Sequence, residues 1–518
     1  MNLPAPPAWV RRPLVLAALA AVALLALAGG LVCARGGDGA PPDTAARLVP
    51  ASALAYVHVS TDPGRAADAR FAARAAALPP LTRLRDQLVA AVAPQSLDVA
   101  RDVRPWLGGE LAYAAVSPAD SIVLAAVADR PRAEALVARV GNLSGASGYR
   151  GVQLLVAGTT AIAFVGDFLA VGTEPAVRAA IDREQGEGDR LADAEPFRRA
   201  LEGAPAGRSL TAYASAAGVR EVLAPRTGAA GLLGRLLDRP GLQAAGAALT
   251  GEDGGLRVTA RVSGGAPEDA AFEPVLLERV PERAAAYLGV KSAARLAGLA
   301  ERLGATQVVG QLRRLLRREA QIDADQDLLA PLDGEVALSV TGPAEDPEGT
   351  AAGAPVVTLK ARTADAGRTG AALARLQQPL AARLALPGTV PGFRPATIGG
   401  LDAFTLRATP QLAPSYAVSA DGLVISTAPA GLLPPRGTLA AAPAFDATIG
   451  EVPDQADSLV FVDLRQLLAL GEETGLTAIS GLATARDDLR RVRAAGAVVT
   501  QDPAHPSDTT AELFLQIP

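Results

Sequence analysis

The sequence predicts an α+β fold: an N-terminal transmembrane helix, then two tandem duplicated units, each with an antiparallel sheet and helices packed on it. Three observations lead there. Residues 14–34 form a long apolar run preceded by Arg11 and Arg12. One motif occurs twice, far apart in the chain. Strand-like runs outnumber helical ones, and the links between neighbouring strands are too short for parallel crossovers, which leaves antiparallel pairing.

Residues 1–13 read as a cytoplasmic tail and 14–34 as the anchor. About 20 apolar residues at 1.5 Å per residue span a hydrocarbon core of ~30 Å. Arginines before the run and an acidic chain after it place the N-terminus in the cytoplasm and the rest outside. Two other fates compete. Val32-Cys33-Ala34 offers small residues for signal cleavage, and Cys33 is the acceptor a lipoprotein would need, although Val32 is a poor residue before it. The length of the run favours the uncleaved anchor. Residues 35–46, rich in Gly, Pro and Asp, follow as a flexible linker.

The first unit is expected at 47–263, a joint at 264–278 and the second unit at 279–518. Val49-Pro50 and Ala55-Tyr56-Val57 open the first; Val280-Pro281 and Ala286-Tyr287-Leu288 open the second. Amphipathic helices are expected next, with Leu81, Leu84, Leu88 and Val92 on one face, and Val308, Val309, Leu312, Leu315 and Leu316 on the other copy's face. The repeated motif comes after them. Asp102, Leu107, Gly109-Glu110 and Ala112 match Asp327, Leu332, Gly334-Glu335 and Ala337 without a gap. Strand pairs follow at 110–116 with 122–127 and at 335–340 with 355–359, then helices at 132–140 and 367–384. A meander of short strands contains 167–173 in one copy and 421–427 in the other, each ending at a Pro-Ala pair. Phe197 and Phe445 precede Ser209-Leu210 and Ser458-Leu459, and each copy closes on two strands, 247–250 with 256–260 and 497–500 with 511–515.

Composition excludes more chemistry than it suggests. The hydrophobic share is 49% and the charged share 20%, enough for packed cores. A net charge of -5 with mixed signs speaks against nucleic-acid binding, which needs a basic face. Cys33 is the only cysteine, His58 and His505 the only histidines, and Lys291 and Lys360 the only lysines. No phosphate loop, zinc-protease helix, nucleophile elbow or Cys-x-x-Cys is present. No catalytic, cofactor-binding or metal-binding residue is assigned, and no cofactor is expected.

Four features still invite a chemical reading. Glu110 and Glu335, at matching positions, could be a pair of carboxylates for acid-base hydrolysis, or solvated residues at two strand starts. Asp323, Asp325 and Asp327 begin like a calcium loop, but Leu328 and Gly334 stand where that loop needs glycine and glutamate; Asp98 and Asp102 are the other copy's counterpart. Arg313, Arg314, Arg317 and Arg318 are either the wet side of a helix or a contact for anionic headgroups. Asn142-Leu143-Ser144 fits a glycosylation acceptor, a pattern too common to weigh.

The anchor, the linker, Val49-Pro50 with Ala55-Tyr56-Val57, and Asp102-Val103-Arg104-Pro105-Trp106-Leu107-Gly108-Gly109-Glu110 together resemble a bacterial family of membrane-anchored proteins known as domain of unknown function 3352. The resemblance implies an envelope location and supplies no site residues. Pro331-Leu332 departs from it where the first copy has Trp106-Leu107. The expected function is that of a non-catalytic envelope binding or scaffold protein. Its partners would be the bilayer, through the N-terminal helix, and an envelope protein or wall component. A carrier or sensor of an apolar ligand and a carboxylate-dependent hydrolase are the alternatives.

Overall fold

The computed structural model describes residues 39–78, 99–140, 145–225, 228–265, 269–343, 354–384, 392–407, 412–473 and 490–517. The expected anchor at 14–34, the helix at 81–92 and the Asn142 acceptor lie outside them. The architecture corrects the α+β expectation: it is mostly a large antiparallel sheet of twenty strands, with helices in a lesser part. No described helix is long and apolar enough to cross a membrane.

The chain divides into two compact units, Met1–Pro267 and Glu268–Pro506, with Ser507–Thr510 and Ile517 counted in the first and Ala511–Gln516 in the second. Ten strands lie before the division: β1 Ala55–Ser60, β2 Leu107–Ala115, β3 Ser121–Val127, β4 Gly145–Tyr149, β5 Val152–Ala157, β6 Thr160–Val165, β7 Phe168–Thr173, β8 Leu210–Ser215, β9 Leu242–Glu252 and β10 Gly255–Gly264. They pair in the order β10-β9-β8-β1-β2-β3-β7-β6-β5-β4. Ten more follow: β11 Ala284–Lys291, β12 Glu335–Thr341, β13 Val356–Ala361, β14 Arg394–Ile398, β15 Leu401–Thr405, β16 Ser415–Ser419, β17 Gly422–Ser426, β18 Ser458–Asp463, β19 Ala494–Gln501 and β20 Thr509–Gln516. Their order is β20-β19-β18-β11-β12-β13-β17-β16-β15-β14, the same arrangement again.

Registers match as well. Ser60 faces Glu110 as Lys291 faces Glu335, and Ala125 faces Leu169 as Ala361 faces Leu423. At one place the structure moves a correspondence by one residue. Tyr56 faces Tyr213 while Tyr287 faces Phe461, so Leu210 answers to Ser458 rather than to Leu459. The buried aromatic ring, not the serine before it, sets that register, because a slip of one would turn it to the other face.

The helices explain the correction of fold class. β9 is rich in alanine, a helix former, yet it is a strand across its whole length, since cross-strand pairing with β8 and β10 outweighs intrinsic preference. The arginine-rich helix Thr306–Glu319, expected to pack on the sheet, has no buried residue at all. Cores form instead between each sheet and the short turns and helices beside it. In the first unit Tyr56, Phe197 and Tyr213 meet edge to face, with centroids 5.7 and 5.2 Å apart. In the second, Phe445 packs on Phe461 at 5.5 Å, beside Tyr287.

Phe197 is the centre of the first stack, so Phe197→Ala leaves a cavity between two tyrosines and costs about 3–5 kcal/mol. Trp106, buried in the same unit, reports the loss: its fluorescence transition in urea moves to lower denaturant, and an unmoved transition would show that the stack is not part of the core.

Candidate functional site

The repeated motif ends at the start of β2 and of β12, and its glutamate is buried in both places: Glu110 is 5% exposed and Glu335 2%. Each carboxylate does the same local work. Glu110 accepts the Thr44 N–H at 2.9 Å, the Ala45 N–H at 3.2 Å and the Thr44 hydroxyl, closing the open N-terminus of the 3-10 turn Ala45–Leu48. Glu335 accepts the Leu276 N–H at 2.8 Å in the 3-10 turn Val275–Arg279. Those turns hold orphan donors that only an acceptor from elsewhere can satisfy. Neither glutamate is the solvated strand residue that the sequence allowed.

Around this shared cap the copies differ. In the first unit His58 stands two residues after Tyr56 on β1, with Nε2 3.3 Å from Glu110 Oε2. Tyr56 donates its hydroxyl to Asp43, which also accepts the Ala46 N–H. In the second unit Gly289 takes the place of His58. The Tyr287 hydroxyl lies over it, so close that a Cβ there would come within 2.5 Å. Among the described residues neither that hydroxyl nor Glu335 Oε1 has a hydrogen-bond partner.

The electrostatic outcome is opposite in sign. Burial raises Glu110, but the His58 ring, the Thr44 hydroxyl and the Ala45 N–H more than offset it and hold the carboxyl below its usual range. Burial pushes Glu335 up to about 7, with too few donors to bring it back.

Asp43, His58 and Glu110 also bring one ligand atom each within 4.8 Å of one another, a grouping that could hold a metal ion. The donor set argues for a structural lock instead. Both carboxylates already receive protein N–H and O–H groups, and a cation would have to displace them.

The other sequence candidates resolve into ion pairs. Asp102 pairs with Arg101 and with Arg139 of helix α1, Arg130–Val140. Its counterpart Asp327 faces Arg368 and Arg375 of helix Ala366–Leu384 at 3.8 and 3.4 Å. The motif aspartate therefore ties down the helix after the strand pair in each copy. Asp323 faces Arg317, and Asp325 faces Arg313, so the calcium-like run is matched by arginines. Lys291 pairs with Asp269, and His505 lies 3.6 Å from Asp502. Asp98 and Cys33 lie outside the described residues.

Sequence reasoning missed Asp43 and Thr44, which it left in the linker, although Pro41, Ala45 and Ala46 are buried. The signal was there: Asp43-Thr44 before Ala45 is a helix-start pattern.

A family model described as "Protein of unknown function (DUF3352)" matches residues 13–517. The chain belongs to this family. No curated protein matches it. Among solved structures, crystal form I of TP0453 is 10% identical over 44% of this chain and 81% of that chain, with a TM-score of 0.28. Crystal form IV of TP0453 is 9% identical over 42% and 79%, with a TM-score of 0.27. Likeness at that level carries no argument about either protein's fold or function.

The two caps predict opposite responses to one substitution. Glu335, raised to about 7 from an ordinary 4.5, contributes stability that is present below about 4.5 and lost as pH rises through about 7. Glu110, lowered, contributes stability that is present above 4.5 and lost as pH falls through its depressed value. At pH 8, Glu335→Gln raises the free energy of unfolding in urea, by about 2–3 kcal/mol, because it removes a poorly compensated buried charge. Glu110→Gln lowers it, by about 3 kcal/mol, because it breaks a fully partnered one. Equal signs in the two variants would refute this division of roles.

Proposed function

We propose that the protein is a membrane-anchored, extracytoplasmic envelope protein that is non-catalytic and acts by contact. The observation that carries this is a surface helix whose Val308 and Leu312 stand exposed among the described residues. Helix α2, Ala293–Ala300, leads through a π-helical turn into helix α3, Thr306–Glu319. Val308 is 66% and Leu312 52% exposed, and Leu303 just before them 51%. Val308, Leu312 and Leu315 stack at i, i+4 and i+7, so they form one stripe. Arg314 and Arg318 lie to one side of it, while Arg313 and Arg317 fall on the far face of the helix.

Charge identifies the contact. Four arginines and a single acid, Glu319, make α3 a basic element in a chain of net charge -5. Arg313 and Arg317 are held by Glu301, Asp325 and Asp323, which leaves Arg314 and Arg318 to face outward. A basic helix with an open apolar stripe suits the anionic headgroup region of a bilayer, lying along it. The apolar run at 14–34, read as an anchor, would keep the helix within reach of that surface. The hydrolase alternative loses support, since the acids it needs are the two turn caps.

The test uses the full chain with Cys33→Ser and Val308→Cys, labelled with an environment-sensitive fluorophore and reconstituted into phosphatidylcholine vesicles with or without phosphatidylglycerol. Emission is expected to shift to the blue, and brominated lipid to quench it, only with phosphatidylglycerol. Arg314→Ala with Arg318→Ala should weaken the effect roughly 30-fold, at about 1 kcal/mol per arginine. Emission that ignores lipid charge, or that shifts already in detergent through self-association, would overturn the reading.

A further inference from the structure

In an arginine-dominated chain, Lys360 stands apart. It is one of two lysines, and unlike Lys291 its amine reaches no carboxylate among its described partners: Nζ donates to the Arg279 carbonyl oxygen. It sits near the end of β13, between Ala337 of β12 and Val424 of β17, at the floor of an open cleft of about 270 Å³. Arg279 lies at the rim, where it pairs at 3.7 Å with Asp421, a largely exposed acid that also lines the cleft. The remaining wall is largely apolar, formed by Leu276, Leu401, Leu433 and Pro434 among others. Two cations therefore share the half-open cleft with one carboxylate, Asp421, which is already paired with Arg279.

The Lys360 ammonium is left with a carbonyl and no carboxylate among its described partners, a charge that a bound anion would balance. Burial, and then the charge of Arg279, pushes the Lys360 ammonium down to about 8. We propose that this cleft binds a small amphipathic anion, a carboxylate or phosphate head against Lys360 Nζ and the Arg279 guanidinium with a short apolar tail along Leu401, Leu433 and Pro434. The ammonium supplies a point charge and the guanidinium a fork that carboxylate and phosphate both match. A few polar groups convergent on an apolar wall is the usual make-up of a small-molecule site. The head would come from a free medium-chain fatty acid or from a phosphate ester, and both chemistries satisfy the same two cations. No residue of α3 lines the cleft, so its ligand is independent of the proposed membrane contact.

The rarity of lysine makes the test direct. Reductive ¹³C-methylation of the full chain in a non-ionic detergent labels Lys291, Lys360 and the N-terminal amine; Lys360→Arg and Lys291→Arg assign the resonances. Without ligand the Lys360 signal is expected to titrate near 8. Decanoate should shift it and raise its midpoint by about one unit, because a neighbouring anion favours the ammonium, while Lys291 stays put. Decanoate binding in the parent should fade as pH passes that raised midpoint and persist in Lys360→Arg. Inorganic phosphate producing the same shift would assign the head to a phosphate ester; a response to decanoate alone would assign it to a carboxylate. Decanol acting as well as decanoate, or Lys360 indifferent to every anion, would overturn the proposal.

Discussion

Each unit depends on one buried carboxylate that crosses from the second strand in its sequence to the 3-10 turn ahead of the first. Glu110 and Glu335 satisfy N–H groups that the turn cannot satisfy itself. The turn in turn carries Leu48 or Leu276 and Leu277 into the core. The strand after it, β1 or β11, is central, bonded on both sides. Without the glutamate, the entry of the chain into the sheet would carry buried, unpaired donors. This is why the motif repeats: it is a joint of the fold, read at the same register in both copies.

A shared joint has not kept a shared electrostatic state. Thr44, Ala45 and His58 surround the first cap with partners, whereas Gly289 and the Tyr287 ring leave the second with an oxygen that has no partner among the described residues. The same side chain is thus held ionised in one copy and pushed toward its neutral form in the other. Perturbed acids often mark functional sites; here geometry gives each a structural task that accounts for it.

Surface features are where the copies offer chemistry to other molecules. The stripe of Val308 and Leu312 and the cleft over Lys360 both belong to the second unit. Both join apolar surface to positive charge in a chain that is acidic as a whole. The lipid contact proposed for the first and the anion proposed for the second are compatible with each other, and neither needs a catalytic group.

The duplication, the positions of most strands and the matching places of Glu110 and Glu335 were legible in the sequence, because turns, period-2 alternation and a spaced motif are local signals, whereas the burial of both glutamates was not. The Asp102 and Asp327 matches were visible too, but not their arginine partners, which come from helices far along the chain. Local signals failed where burial decides. Periodicity shows that Val308, Leu312 and Leu315 share a face but not whether anything covers it. In β9 the sequence marked a strand only at 247–250, and pairing with its neighbours extends it over Leu242–Glu252. His58 meets Glu110, and Lys360 meets Arg279, across contacts that sequence spacing does not encode. The sequence determined the repeated unit and its chemically spare side-chain set; only the tertiary structure decided which charges are buried, because desolvation depends on what packs around a group and not on the residues beside it in the chain.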